Sequence, residues 1–271
     1  MIEFGVSFVE FVLATFLPIY VGMFLLIGLS NGNRIASRYL SAYALGLLFW
    51  FFYDTLNDAA QLDVNQGYSF DLGHVGLLSL FVVGFLVFTL LGGRVLSKRE
   101  AAVNQNALPL LLALLVALGM GIHGIGEGIA FGGLAAGTQA STILDAIGGI
   151  NGGVAYCLHK LLEATIVLAV YIPLARANGL SSRSQLWHTV LIGFVFGIPS
   201  AAGEVAGYSI AIDSTWFYAM GAGAALFVVL EVARAIFAAN KDEGFTYSQW
   251  VRISGAMILG FLLLYAAALL H

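Results

Sequence analysis

The sequence predicts an all-α polytopic membrane protein with eight transmembrane helices, and three observations carry that prediction. Of 271 residues, 60% are hydrophobic and only 10% charged, with a mean hydropathy of +0.94, far from the balance of a water-soluble domain. Eight apolar runs are long enough to cross a bilayer core, which takes about 20 helical residues. The basic residues fall on alternate connections between those runs, as the positive-inside rule requires of correctly divided spans.

In chain order the spans cover residues 9–30, 39–62, 74–94, 108–134, 152–177, 187–208, 214–238 and 247–270. Helices are expected because backbone groups in hydrocarbon must find their hydrogen bonds within the segment. No connection is long enough for a soluble domain, so 1–271 reads as one transmembrane domain. The first eight residues carry Glu3 and no Lys or Arg, which argues against a cleaved signal peptide and for a retained first span.

The charges set the orientation. Arg34 and Arg38 follow span one; Arg94, Lys98 and Arg99 follow span three. Arg176 and Arg183 follow span five, Arg234 and Lys241 follow span seven, and Arg252 begins span eight on the same face. The opposite connections carry Asp63, Asp71, Asp145 and Asp213. The basic face is therefore cytoplasmic and both termini extracellular, in a multi-pass protein of the cell membrane. Trp187, Trp216 and Trp250 fall at span ends, where interfacial aromatics belong.

Composition also excludes some functions. The net charge of −4 and scattered basic residues leave no patch for nucleic acid. A single cysteine, Cys157, excludes an intrachain disulfide, and its apolar neighbours suit a packed thiol better than a metal ligand.

Charged residues inside a span cost roughly 2.5–3.5 kcal/mol each on insertion scales, and normally face one another or a wet cavity. Span two holds Asp54 and Asp58, span four His123 and Glu127, and span five His159, Lys160 and Glu163. Span six holds Ser200 and Glu204, and span seven Glu231. Asp54, Asp58, Ser200, Glu204 and Glu231 are candidates for a transport pathway. Asp54 and Asp58 also fit a position at the outer headgroups, Glu204 a surface position, and Glu231 an arginine-paired acid near the cytoplasmic surface. His74 and His188 read as headgroup-level histidines, and His271 is terminal.

The histidines of spans four and five carry the strongest signal. His123 and Glu127 stand four residues apart, as do His159 and Glu163, and that spacing puts both side chains of each pair on one helix face. Adjacent antiparallel helices can bring the two pairs together. Imidazole nitrogen with carboxylate oxygen suits zinc, iron, manganese and other first-row divalent ions, with a structural polar network as the alternative. Glycines 119, 121, 124, 126, 128, 132 and 133 crowd the first pair. Gly124, Gly128 and Gly132 form a small-residue ridge that suits close helix packing and permits a homodimer.

At these residues the chain resembles the ZIP (Zrt/Irt-like) divalent metal transporters. Residues 123–128, HGIGEG, resemble that family's span-four motif His-Asn-x-Pro-Glu-Gly, and 159–163, HKLLE, its span-five motif. Residues 54–59, DTLNDA, are similar to its span-two segment, and 221–231, GAGAALFVVLE, to its span-seven run. The resemblance implies eight spans, two external termini and a metal site between spans four and five. Three departures stand out: Gly124 where the family has Asn, Lys160 where it has an acid or amide, and Ser200 where two-metal members have Glu. All three fall on one half of a binuclear site. An ammonium at Lys160 can stand in for a second cation, so the expectation is a single-metal site of His123, Glu127, His159 and Glu163.

The function expected from this reading is uptake of a divalent cation as transported substrate, zinc first, with Fe, Mn and Cd as alternatives, and no enzymatic activity. Two other readings use the same residues: an intramembrane metal-dependent hydrolase, and a proton-coupled transporter of an organic solute. The hydrolase needs three ligands, an open water position and often a general base, and no Gly-x-Ser-x-Gly motif accompanies the histidines.

Overall fold

A computed structural model describes residues 2–30, 34–60, 72–100, 108–137, 142–238 and 246–269. Nine helices account for almost all of them: α1 (Phe4–Ser30), α2 (Arg34–Ala60), α3 (Leu72–Glu100), α4 (Leu108–Gly137), α5 (Ile143–Ala146), α6 (Gly149–Ala177), α7 (Ser182–Ser209), α8 (Thr215–Ala238) and α9 (Tyr247–Ala268). Eight correspond to the expected spans, and the short α5 lies in the connection before α6. Asp63, Asp71 and Lys241 fall outside the described residues.

Several helices run past the apolar stretches that predict them; α1 starts at Phe4 and α3 continues to Glu100. Hydropathy marks the part of a helix that sits in hydrocarbon, whereas intrahelical hydrogen bonding continues into the headgroup layer. Seven helices among the described residues are long and apolar enough to cross a membrane. The remaining long helix is α2, whose apolar content is diluted by Tyr39, Tyr43, Tyr53, Asp54 and Asp58.

Side-chain chemistry fixes several ends. The Ser181 hydroxyl accepts from Ser184 N–H at 3.2 Å, and Thr246 and Gln249 form a reciprocal capping box at the start of α9, each meeting backbone N–H groups the helix leaves free. Gly148 and Gly149 take positive φ of 96° and 76° in the turn that sends the chain into α6, a conformation glycine adopts without steric cost.

The eight long helices sort into two groups of four. Packing is most extensive between α4 and α7, joined through α6 and α7 to α1; the other group pairs α2 with α9 and α8, and α8 with α3. The groups meet chiefly where α4 packs on α8 and α2 on α6. The α4–α7 contact is glycine-built. A methyl group at Gly128 would overlap the Ser200 carbonyl and the Glu204 amide, and one at Gly203 would overlap the Ile125 backbone. The ridge predicted on span four is thus a packing surface, and its partner is α7.

Candidate metal centre

His123 is the sixteenth residue of the thirty in α4, and His159 lies in the first half of α6, so antiparallel packing brings them level near mid-helix. One ligand atom from each of His123, Glu127, His159 and Glu163 lies within 4.8 Å of the others. Glu127 Oε1 is 3.5 Å from His123 Nε2 and 3.6 Å from His159 Nε2, while Glu163 Oε1 is 3.3 Å from His159 Nε2. Close as they are, His159 Nε2 and Glu163 Oε1 are buried without a hydrogen bond of acceptable geometry. Converging, unsatisfied nitrogen and oxygen atoms are what a divalent first-row ion would satisfy.

Each carboxylate is divided between two neighbours. Oε1 of Glu127 and of Glu163 faces the histidines, and Oε2 of both faces the Lys160 ammonium, at 2.7 Å for Glu163 and in direct contact for Glu127. Lys160 is 1% exposed and lies between the rings of Tyr156 and Phe196, 5.8 and 5.6 Å from their centroids. It occupies the side of the carboxylates opposite the histidines, against their second oxygens. Gly124 and Ser200 meet on this same side: the Ser200 hydroxyl fills the space that a Cβ at 124 would need. The three departures noted in the sequence are therefore one structural feature.

Helices of the second group wall the site. The ring of Phe51 stands edge-on to His123 with centroids 4.8 Å apart, and Tyr218 approaches it at 5.1 Å. Gly221 makes the approach of α8 possible, because a methyl there would sit 2.9 Å from His123 Cα and Cβ. A cavity of about 470 Å³ lies over the site, lined by His123, Glu127 and His159 with Asp54 and Asp58 of α2 and Tyr218 of α8. Leu134, Ile147 and Ala268 place its mouth at the end of the bundle that carries Asp145 and Asp213. Beyond Glu163, which is 0% exposed, α6 continues through the fully buried Ile166, Val167 and Leu168.

The remaining candidates separate from the site. Glu231 stands 3.8 Å from Arg234, itself 72% exposed, a surface pair of little energetic weight. Glu204 is wholly buried and hydrogen-bonded by Ser7 at 2.9 Å, away from the cavity lining. His188 is half-buried, with Nδ1 2.8 Å from the Tyr171 hydroxyl, so it ties α6 to α7. Cys157 Sγ lies 3.9 Å from the Ala14 carbonyl, as a packed thiol does. His74 lies in α3 and His271 outside the described residues.

Sequence reasoning missed Tyr156, Tyr218 and Phe51 as site-lining groups. No motif marks an aromatic in a chain with 20 Phe and 11 Tyr. No protein-family profile matches the chain, and no curated protein does either.

Proposed function

We propose that this chain moves a divalent transition-metal cation across the cell membrane, zinc first and iron or manganese next, as a transporter rather than an enzyme. The observation that carries the reading is the convergence of two His/Glu pairs from α4 and α6, half-way along both helices, at the floor of a cavity. The resemblance to ZIP transporters supports the same reading, which includes an eight-span topology with α2 as a span and both termini outside. In that orientation the cavity mouth is extracellular.

The cation would enter past Asp54 and Asp58 and exchange its water for the two imidazoles and two carboxylate oxygens. Those ligands bind only as neutral imidazole and ionised carboxylate. The Lys160 ammonium holds both carboxylates ionised and oriented, so one cation is bound rather than two. Release to the cytoplasm requires the packed side chains beyond Glu163 to part. All four ligands lie on one helix group and much of the cavity wall on the other, so movement of one group against the other would change access.

Uptake by proteoliposomes loaded with a metal-sensitive dye, measured for a panel of divalent ions, tests this. Glu163→Ala and His123→Ala should abolish uptake, and uptake unchanged in both would sink the assignment. Lys160→Asp should bring a second bound metal per chain, counted by elemental analysis; a stoichiometry still at one would argue against the ammonium as the stand-in cation.

A further inference from the structure

A second acid is as deeply buried as those of the metal centre and has none of their compensation. Glu204, near the end of α7, is 0% exposed. The Ser7 hydroxyl of α1 donates to its Oε1 at 2.9 Å, and its Oε2 is enclosed with no hydrogen-bond partner. Gly128 and Gly132 of α4 bring that helix against the Glu204 main chain.

The groups facing it from each packed helix are few. From α1 comes Ser7; Glu10 lies about one turn on in that helix and the exposed Glu3 just before it, and α1 contains no Lys, Arg or His. From α4 come the two glycines, and the only charged or titratable residues of α4 are His123 and Glu127, which engage His159 and Lys160 instead. On α7 itself Tyr208, one turn on, donates its hydroxyl to the Ile2 carbonyl, and the nearest basic group is His188, about 24 Å away in helical rise. On α6 the Lys160 ammonium is held by Glu127 and Glu163, and the Tyr156 hydroxyl is hydrogen-bonded with Thr15.

Among the described residues an ionised carboxylate in such a setting would lack a cation and have one hydroxyl donor, and burial without pairing strongly disfavours the charged form. A neutral carboxyl removes the buried charge: its carbonyl oxygen accepts from Ser7, and its O–H takes the Oε2 position, which meets no donor among those residues. We infer that Glu204 is a proton-binding site distinct from the metal centre, holding its proton while α1, α4 and α7 are packed together and joining α1 to α7 as a neutral hydrogen-bonded clasp. Loss of the proton then requires α1 to separate from α7, which ties proton release to movement within this helix group. The inference stands without the transport reading, because the charge state of Glu204 is measurable in the absence of any metal.

Infrared difference spectra of the purified full-length chain in detergent at neutral pH, wild type minus Glu204→Gln, supply the test. A carboxylic-acid C=O band present in the wild type and missing from the variant is expected; a lost carboxylate band in its place would overturn the proposal. Thermal stability against pH gives a second readout. The folded state retains a proton that the unfolded chain gives up, so wild-type stability should fall as pH rises and Glu204→Gln should flatten the decline. Superimposable profiles would count against it. If Glu204→Gln does not fold, Ser7→Ala serves: removing the donor should move the acid C=O band to higher frequency, and an unmoved band would refute the clasp.

Discussion

Glu127 and Glu163 on one side, and Glu204 on the other, are acids inside the same helix group, the third set where Gly128 and Gly132 bring α4 against α7. Around the first two stand a lysine and two histidines; around the third stands one serine hydroxyl. The pair can remain charged in a membrane interior because the ammonium lies against both carboxylates. Among the described residues Glu204 has no such counter-charge, and it fits as a neutral acid. Depth alone does not decide what a buried carboxylate does. The charges that packing delivers to it decide whether it can take up a metal or only a proton.

The most disruptive way to break this contrast is to remove the lysine. Lys160→Met leaves two buried carboxylates facing each other and should cost about 3–5 kcal/mol, read as a large fall in thermal stability of the metal-free protein. Added divalent metal should restore part of the loss, because a bound cation supplies the missing charge and stabilises by mass action.

Removing a ligand tests the other half of the contrast. His123→Ala should weaken metal binding by about 100-fold, or roughly 2.7 kcal/mol, measured by calorimetric titration. Acidification should act in the same direction with a smaller effect. Protons compete for imidazole and carboxylate, so metal affinity should fall steadily as pH is lowered and recover as it is raised; affinity constant with pH would argue against this ligand set.

Two weaker perturbations sharpen the role of packing. Gly128→Ala inserts a methyl where α4 touches the Ser200 carbonyl and the Glu204 amide, and overpacking of this kind costs about 1–3 kcal/mol. Ser7→Ala removes the donor to Glu204 and should cost about 1 kcal/mol, the smallest of these effects, visible as a modest drop in thermal stability at neutral pH.

The long helices were legible because apolar content is a local property, and seven of them among the described residues are apolar enough to cross a membrane. The short α5 was not legible; four residues around Asp145 carry no periodicity. The convergence of the two His/Glu pairs was legible because His and Glu at i,i+4 share one face of each of two neighbouring antiparallel helices. The partner of Glu204 was not. Ser7 lies 197 residues away in the chain, and no local pattern connects the two, so neither the pathway nor the surface reading of Glu204 anticipated a sealed position between α1 and α7.

By itself the sequence determined an all-helical membrane chain, its charge asymmetry and the two His/Glu pairs, since each depends on residues within a few turns of one another. Tertiary structure alone decided that the helices form two groups, that Lys160 bridges both carboxylates, and that the Ser200 hydroxyl fills the space left open at Gly124. It also decided that Glu204 is enclosed with a serine as its single hydrogen-bond partner. Those outcomes depend on how close two helices can approach, which glycines distant in sequence set, and on which charges then share a region of low dielectric.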